Sequence, residues 1–284
     1  MKKIVLVSIL LVGCLIFWQM GKAEAANWTL TNLNSTVTVS DNTQAGVHNW
    51  TIDGFNNLFQ MQFWYRVGNI TPEASVNTLT LTSATPVMIG LEQRGVDLLY
   101  TDQQNRFSID VLWGVLAGGS SGSFVSDLAD TVKVSNLSGA PLDFHLFKYA
   151  DYDLYGTIGG DVALISGANA IEQYDSVSGF TLDTIVNVYN RWEIANYPLI
   201  LNKLNDGVAT NLANATSPLG PGDVTWALQW DFTLASSGGG SEFIMSEDNR
   251  TQMSGKVPEP LSLILLGSGL AGVGLYRRLR KPKG

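Results

Sequence analysis

From Asp223 to Ala235 every second residue is large and apolar: Trp226, Leu228, Trp230, Phe232 and Leu234. Thr225, Ala227, Gln229, Asp231 and Thr233 occupy the other phase. Successive side chains of a strand point to opposite faces, so this segment builds one continuous apolar face. A helix would scatter the same residues around its axis. The pattern recurs. Phe107, Ile109, Val111, Trp113 and Val115 form a second apolar face opposite Ser108, Asp110 and Gly114. Phe59, Met61, Phe63 and Tyr65 form a third, with Gln60 and Gln62 between them. Leu142 to Tyr149 is a fourth, with aromatic residues in both phases. Shorter strand candidates are Trp28–Thr31, Thr36–Val39, Leu79–Thr82, Thr131–Ser135, Val162–Ile165, Gly179–Leu182 and Ser241–Met245.

Turn-forming residues separate these runs: Asp53-Gly54, Ser138-Gly139, Gly159-Gly160-Asp161 and Gly220-Pro221-Gly222-Asp223. Many short alternating strands predict an all-β body over residues 26–246, an antiparallel β-sandwich or jelly roll. Pro198 to Leu204 reads as a short helix ended by Asn205-Asp206-Gly207. Gln173 to Asn187 is ambiguous between helix and strand. Gly238-Gly239-Gly240 reads as a hairpin turn joining the Trp226 strand to the Phe243 strand, and residues 247–256 as a polar linker.

The two ends differ from the body. Lys2 and Lys3 precede an apolar run, Ile4 to Trp18, and Ala23 and Ala25 stand at −3 and −1 of a cleavage site after Ala25. Residues 1–25 therefore read as a secretory signal peptide. Leu11-Val12-Gly13-Cys14 also fits a lipobox, but Leu15 to Trp18 continues the apolar run past the cysteine. Cys14 is the only cysteine, so no internal disulfide can form. Residues 26–256 carry nine Lys and Arg against twenty-three Asp and Glu, a formal charge of −14. That charge repels nucleic acid and anionic lipid headgroups.

At the other end, Pro258-Glu259-Pro260 precedes the uncharged stretch 261–276, and Arg277, Arg278, Arg280 and Lys281 come after it. As a helix these sixteen residues span about 24 Å, against about 30 Å of bilayer hydrocarbon, and Tyr276 and the flanking arginines can snorkel to make up the difference. The basic cluster places this end in the cytoplasm and the body across the membrane.

This tail, residues 257–284, resembles the PEP-CTERM sorting signal of bacterial exported proteins. Pro258, Glu259 and Pro260 match its name-giving motif, residues 261–276 its transmembrane helix, and Arg277 onward its basic cluster. The resemblance implies that an exosortase, a membrane protease-transpeptidase, is the partner, with cleavage near the motif and release to the cell surface or matrix. It also implies an association with exopolysaccharide and biofilm. In a bacterial setting the seven Asn-x-Ser/Thr triplets are chance products of a chain rich in those residues.

Candidate chemistry in the body is sparse. Gly118-Gly119-Ser120-Ser121-Gly122 matches the letters of a nucleophile elbow, which needs a strand before and a helix after. Ser123-Phe124-Val125-Ser126, next in the chain, has the character of loop or strand, so the segment reads as a Gly/Ser loop. His145 reads as a half-buried sheet residue, with His48 beside Trp50 the only other histidine. Asp151, Asp153 and Asp161 are the calcium candidates. Trp230 is expected between two sheets, with Asp231 on the opposite, tolerant face. The sequence alone thus predicts a non-enzymatic exported surface or matrix protein without a cofactor. Its alternatives are a carbohydrate-binding or calcium-dependent adhesive module and, third, a surface hydrolase.

Overall fold

The computed structural model describes residues 26–236 and 241–253. The strands are β1 (Asn27–Asn32), β2 (Ser35–Ser40), β3 (Val47–Ile52), β4 (Phe55–Asn56), β5 (Gln60–Val67), β6 (Ala74–Ser75), β7 (Thr80–Ile89), β8 (Glu92–Thr101) and β9 (Phe107–Gly118). They continue as β10 (Ser126–Asn136), β11 (Leu142–Asp151), β12 (Asp161–Ile165), β13 (Ala170–Asp175), β14 (Phe180–Val186) and β15 (Arg191–Asn196). A short helix, α1 (Leu199–Leu204), precedes β16 (Leu219–Gly222), β17 (Val224–Leu234) and β18 (Glu242–Met253).

Two antiparallel sheets face each other. The first runs β1-β2-β3-β5-β11-β17-β15, with β4 and β6 paired to its side; the second runs β16-β12-β13-β14-β18-β10-β9-β8-β7. The all-β sandwich read from alternation is therefore the fold. Apolar phases of the two sheets interdigitate between them: Phe63 of β5 meets Trp113 of β9 at 5.1 Å between ring centroids, and Phe107 of β9 meets Phe144 of β11 edge-on at 5.2 Å. Trp226, Leu228, Trp230 and Leu234 lie in this core as their phase requires.

The strand β11 is buried on both faces, which accounts for its aromatic residues in both phases. Phe144, Leu146 and Ala150 face the second sheet. Phe147 and Tyr149 face outward, where Ile200 and Leu204 of α1, together with Leu212, close a smaller core with Trp64 and Ala227. The helix expected at Pro198–Leu204 is α1, whose buried residues are these two apolar positions.

Several expectations are corrected. Residues Glu247 to Met253 are not linker but the second half of β18, paired with β10 and β14 in the middle of the second sheet. The Trp226 and Phe243 strands form no hairpin, since β17 and β18 belong to different sheets; Gly238 to Gly240 lie outside the described residues. The ambiguous Gln173–Asn187 stretch holds the end of β13 and all of β14, joined by a turn. Phe59 lies before β5 and is 53% exposed rather than in the core. Val115 leaves the apolar face of β9 because the pairing shifts between Leu128 and Asp130 of β10. Gly114 makes that bulge: its φ is +89°, and a Cβ there would stand 2.5 Å from the Arg94 carbonyl oxygen. After the bulge Leu116, not Val115, enters the core.

Candidate functional site

The outer phases of β5, β11, β17 and β15 bring Arg66, His145, Gln229, Asp231, Arg191 and Glu193 onto one sheet face. Register sets the row: Arg66 pairs with His145, and His145 with Asp231. His145 Nδ1 lies 2.6 Å from Asp231 Oδ1. The same carboxylate oxygen accepts from Gln229 Nε2 at 2.7 Å, and Arg191 Nε lies 3.8 Å from Oδ2. Burial pushes the Asp231 carboxyl up. Hydrogen bonds from His145 and Gln229, with the charges of His145 and Arg191, outweigh it and hold the group below the usual carboxylate value.

The row continues under the segment after α1. Gln229 Nε2 donates to Asn211 Oδ1 at 2.8 Å, and Arg66 Nη2 donates to the same oxygen at 2.7 Å. Arg66 Nη1 donates to Glu73 Oε1 and to the Thr210 carbonyl, both at 2.5 Å. This network holds down the strap over the sheet. Glu193 adds to it by accepting from Ala213 N at 3.0 Å and from Lys203. Three buried atoms in the row have no hydrogen-bond partner among the described residues: His145 Nε2, Arg66 Nε and Glu73 Oε2. His145 Nε2 is buried 3.9 Å from Oδ2 of Asp143. Asp143 and Arg191 are half-buried, and Asn69 donates to Asp143 at 2.6 Å. Such an edge offers a hydroxylated ligand both donors and acceptors.

A second polar corner lies at the other end of the same strands. Asp151, Asp153 and Asp223 each bring a carboxylate oxygen within 4.8 Å of the others. Burial, then the charges of Asp153 and Asp223, raises the Asp151 carboxyl to about 7. Burial and Asp223 raise Asp153 to about 6. Two exposed aromatic residues border the corner: Phe59 N donates to the Asp151 carbonyl at 2.9 Å, and Tyr197 N to that of Asp223 at 3.1 Å. Their rings meet edge-on at 6.1 Å.

The calcium candidates are thus split. Asp151 and Asp153 converge, but Asp161 turns into the core, where it accepts from Leu154 N and Gln173 Nε2, each at 3.2 Å. Asp223 takes its place; in the sequence it reads only as the end of a Gly-Pro-Gly turn. The Ser120 segment is the β9–β10 turn, leading into a strand, so no nucleophile elbow forms. It lines a shallow depression of about 480 Å³ with Leu33, Asn34 and Asp53. Asp53 pins that turn by accepting from Gly122 N at 2.6 Å and Phe124 N at 2.9 Å. His145 lies in the sheet as read, but buried rather than half-buried. Its partner was missed, although strand phase alone places Asp231 outside the core.

The sorting and processing residues, namely Ala23, Ala25, Pro258, Glu259, Pro260, Arg277, Arg278, Arg280 and Lys281, lie outside the described residues. Among the described residues no helix is long and apolar enough to cross a membrane. Residues 256–281 match the PEP-CTERM protein-sorting motif. The chain carries this motif, and the motif implies export, C-terminal membrane anchoring before processing, and exosortase-mediated processing. No curated protein matches the chain.

Solved structures share the sandwich. A bacterial glucoamylase complexed with acarbose aligns with TM-score 0.58 and 10% identity over 82% of this chain. The match covers 34% of the glucoamylase, so the chain spans about a third of that protein. The Slr1438 protein of Synechocystis sp. PCC 6803 aligns with TM-score 0.53 and 7% identity, over 81% of this chain and 97% of that one. A putative aldose 1-epimerase of Escherichia coli K12 aligns with TM-score 0.51 and 10% identity, over 81% of this chain and all of that one. At such identities the likeness is one of fold. It overturns the expectation of a non-enzymatic body, because the sandwich is one that enzymes use.

Proposed function

We propose that this is an exported, exosortase-processed protein of the cell surface or extracellular matrix, and that its sandwich binds carbohydrate at the His145 rim. The His145–Asp231 pair carries the second half of this reading. A carboxylate on Nδ1 fixes the ring, so Nε2, buried just under the rim, is one defined hydrogen-bonding atom for a hydroxyl that enters there. Nε2 has no hydrogen-bond partner among the described residues; Asp143 stands 3.9 Å from it, and Arg191 stands beyond Asp231 on the same face. A sugar hydroxyl, donor and acceptor at once, complements that set. A carboxylate-oriented imidazole is also the equipment for moving a proton to or from a bound hydroxyl. The carbohydrate class comes from the names of the structures that share the fold, and extracellular polysaccharide is its source at the cell surface.

Titration of the purified protein with monosaccharides and with polysaccharide from the producing cells tests this. Saturable binding is expected, and His145→Gln, which keeps a donor toward Asp231, should weaken it at least about tenfold, or about 1.4 kcal/mol. Binding that is absent, or indifferent to His145→Gln, overturns the reading. A calcium-dependent adhesive module is the second reading, favoured by Asp151, Asp153 and Asp223, whose mutual repulsion a divalent cation relieves. In that case EDTA abolishes binding and His145→Gln leaves it intact.

A further inference from the structure

In the middle of the sandwich, away from both outer corners, sits a lysine with two carboxylates. Lys148 stands in the inward phase of β11, between Leu146 and Ala150. Its Nζ lies 2.9 Å from Asp130 Oδ2 and in contact with Glu247 Oε1. All three side chains are completely buried. Asp130 of β10 and Glu247 of β18 are direct cross-strand partners in the second sheet, so both carboxylates face the lysine from one wall. The Phe63 ring closes another side, 5.5 Å from Nζ.

As an ion cluster this arrangement is poorly compensated. Two carboxylates share one ammonium in the sandwich interior, leaving an uncompensated buried charge. Asp130 Oδ1 and Glu247 Oε2 have no hydrogen-bond partner among the described residues. Burial, with the neighbouring Glu247 charge, outweighs Lys148 and pushes the Asp130 carboxyl up, while the two carboxylates hold the Lys148 ammonium above its usual value. Burial thus favours the protonated form of the acid facing the amine.

We propose that Lys148 and Asp130 join in an intramolecular isopeptide bond, with Glu247 moving the protons. Glu247, in contact with Nζ, takes a proton from the ammonium and frees its lone pair. Nζ attacks Cγ of the protonated Asp130, forming the N–C bond. Glu247 gives that proton to the departing oxygen and takes the second proton from the nitrogen as the C–O bond breaks, so one water leaves and Glu247 ends protonated. Amine plus carboxylic acid give amide plus water, with no oxidant, reductant or activated co-reactant. Low dielectric drives the reaction: the amide and a protonated Glu247 leave no charge in the core. The bond fastens β11 of the first sheet to β10 of the second. The described body holds no cysteine, so a disulfide cannot do this. The inference is independent of any ligand at the surface.

Peptide mapping of the purified exported protein tests it. Trypsin cannot cut at an acylated Lys148. The expected product joins residues 107–133 to residues 134–191 and is lighter by one water than the two together. Asp130→Asn should give the same linked product with ammonia as the leaving group. Asp130→Ala and Glu247→Gln should give none. A wild-type digest with free 107–133 and 134–148 peptides at their linear masses overturns the proposal, whether or not the variants fold. A link from Lys148 to Glu247, or one that persists in Glu247→Gln, overturns the roles assigned.

Discussion

His145 Nδ1 and Asp231 Oδ1 stand 2.6 Å apart across the neighbouring strands β11 and β17. The pair turns what alternation alone marks as a tolerant outer position into a structural one. Asp231→Ala leaves the His145 ring without its acceptor and the Gln229 amide with Asn211 alone, in a largely covered row. We expect a loss of about 1–3 kcal/mol of stability in urea unfolding. A cost within about 0.5 kcal/mol, the range of an idle surface residue, would show that the pair holds nothing.

Its chain neighbour tests the opposite face. Trp230 is 2% exposed in the core between the sheets. Trp230→Ala should cost about 3–5 kcal/mol, a large share of the roughly 5–15 kcal/mol that holds a domain together. The variant should be degraded before or after export. A variant that is secreted at wild-type level with an unchanged melting temperature refutes the core assignment.

Phase was the legible part of this protein. Period-2 alternation named the core face of β17 and most of that of β9, because a sheet with one dry face forces it. What alternation could not show is where phase breaks. Gly114 reads as one more small residue until the bulge it makes sends Leu116 rather than Val115 inward. Polar residues were misjudged for a related reason. Lys148 and Glu247 occupy inward phases, but a charged residue in a strand reads as solvated unless its partner on another strand is known. The pairing of Asp130 with Glu247 joins residues more than a hundred positions apart. The Asp151 corner was half legible: the Asp-x-Asp pair is local, whereas Asp223 arrives from the turn that precedes β17.

Acid should stabilise this body. Burial raises the carboxyls of Asp127 and Asp151 to about 7, Asp161 to about 8, and Asp153 and Asp248 to about 6. Their unfolded value is about 3.9. Between that value and the folded ones, the native state binds more protons than the unfolded state, so stability falls as pH rises. The melting temperature should therefore be higher at about pH 5 than at about pH 8, within the window these shifts define. Asp161→Asn should flatten the slope, since the amide retains an acceptor for Leu154 N and carries no charge. A melting temperature that is level or rises toward pH 8 contradicts the burial of these acids.

The last prediction separates the body from its tail. The sorting motif begins at residue 256, and β18 ends at Met253. Cleavage near Pro258, Glu259 and Pro260 therefore leaves every described strand intact. Replacing those three residues with alanine should block processing and retain the full-length chain in the membrane, while the melting temperature of the body stays unchanged. Truncation inside β18 should behave differently. Ending the chain after Ser246 removes Glu247, Asn249 and Thr251 from between β10 and β14. Those residues are buried, and Asn249 accepts from Tyr152 and Thr184 while donating to the Leu128 carbonyl. That truncation should unfold the body, whereas ending it after residue 256 should not. C-terminal mass spectrometry of the secreted protein and thermal melts of the two truncations decide the matter. A mature chain that keeps residues 261–284, or a folded protein ending at Ser246, would refute this division.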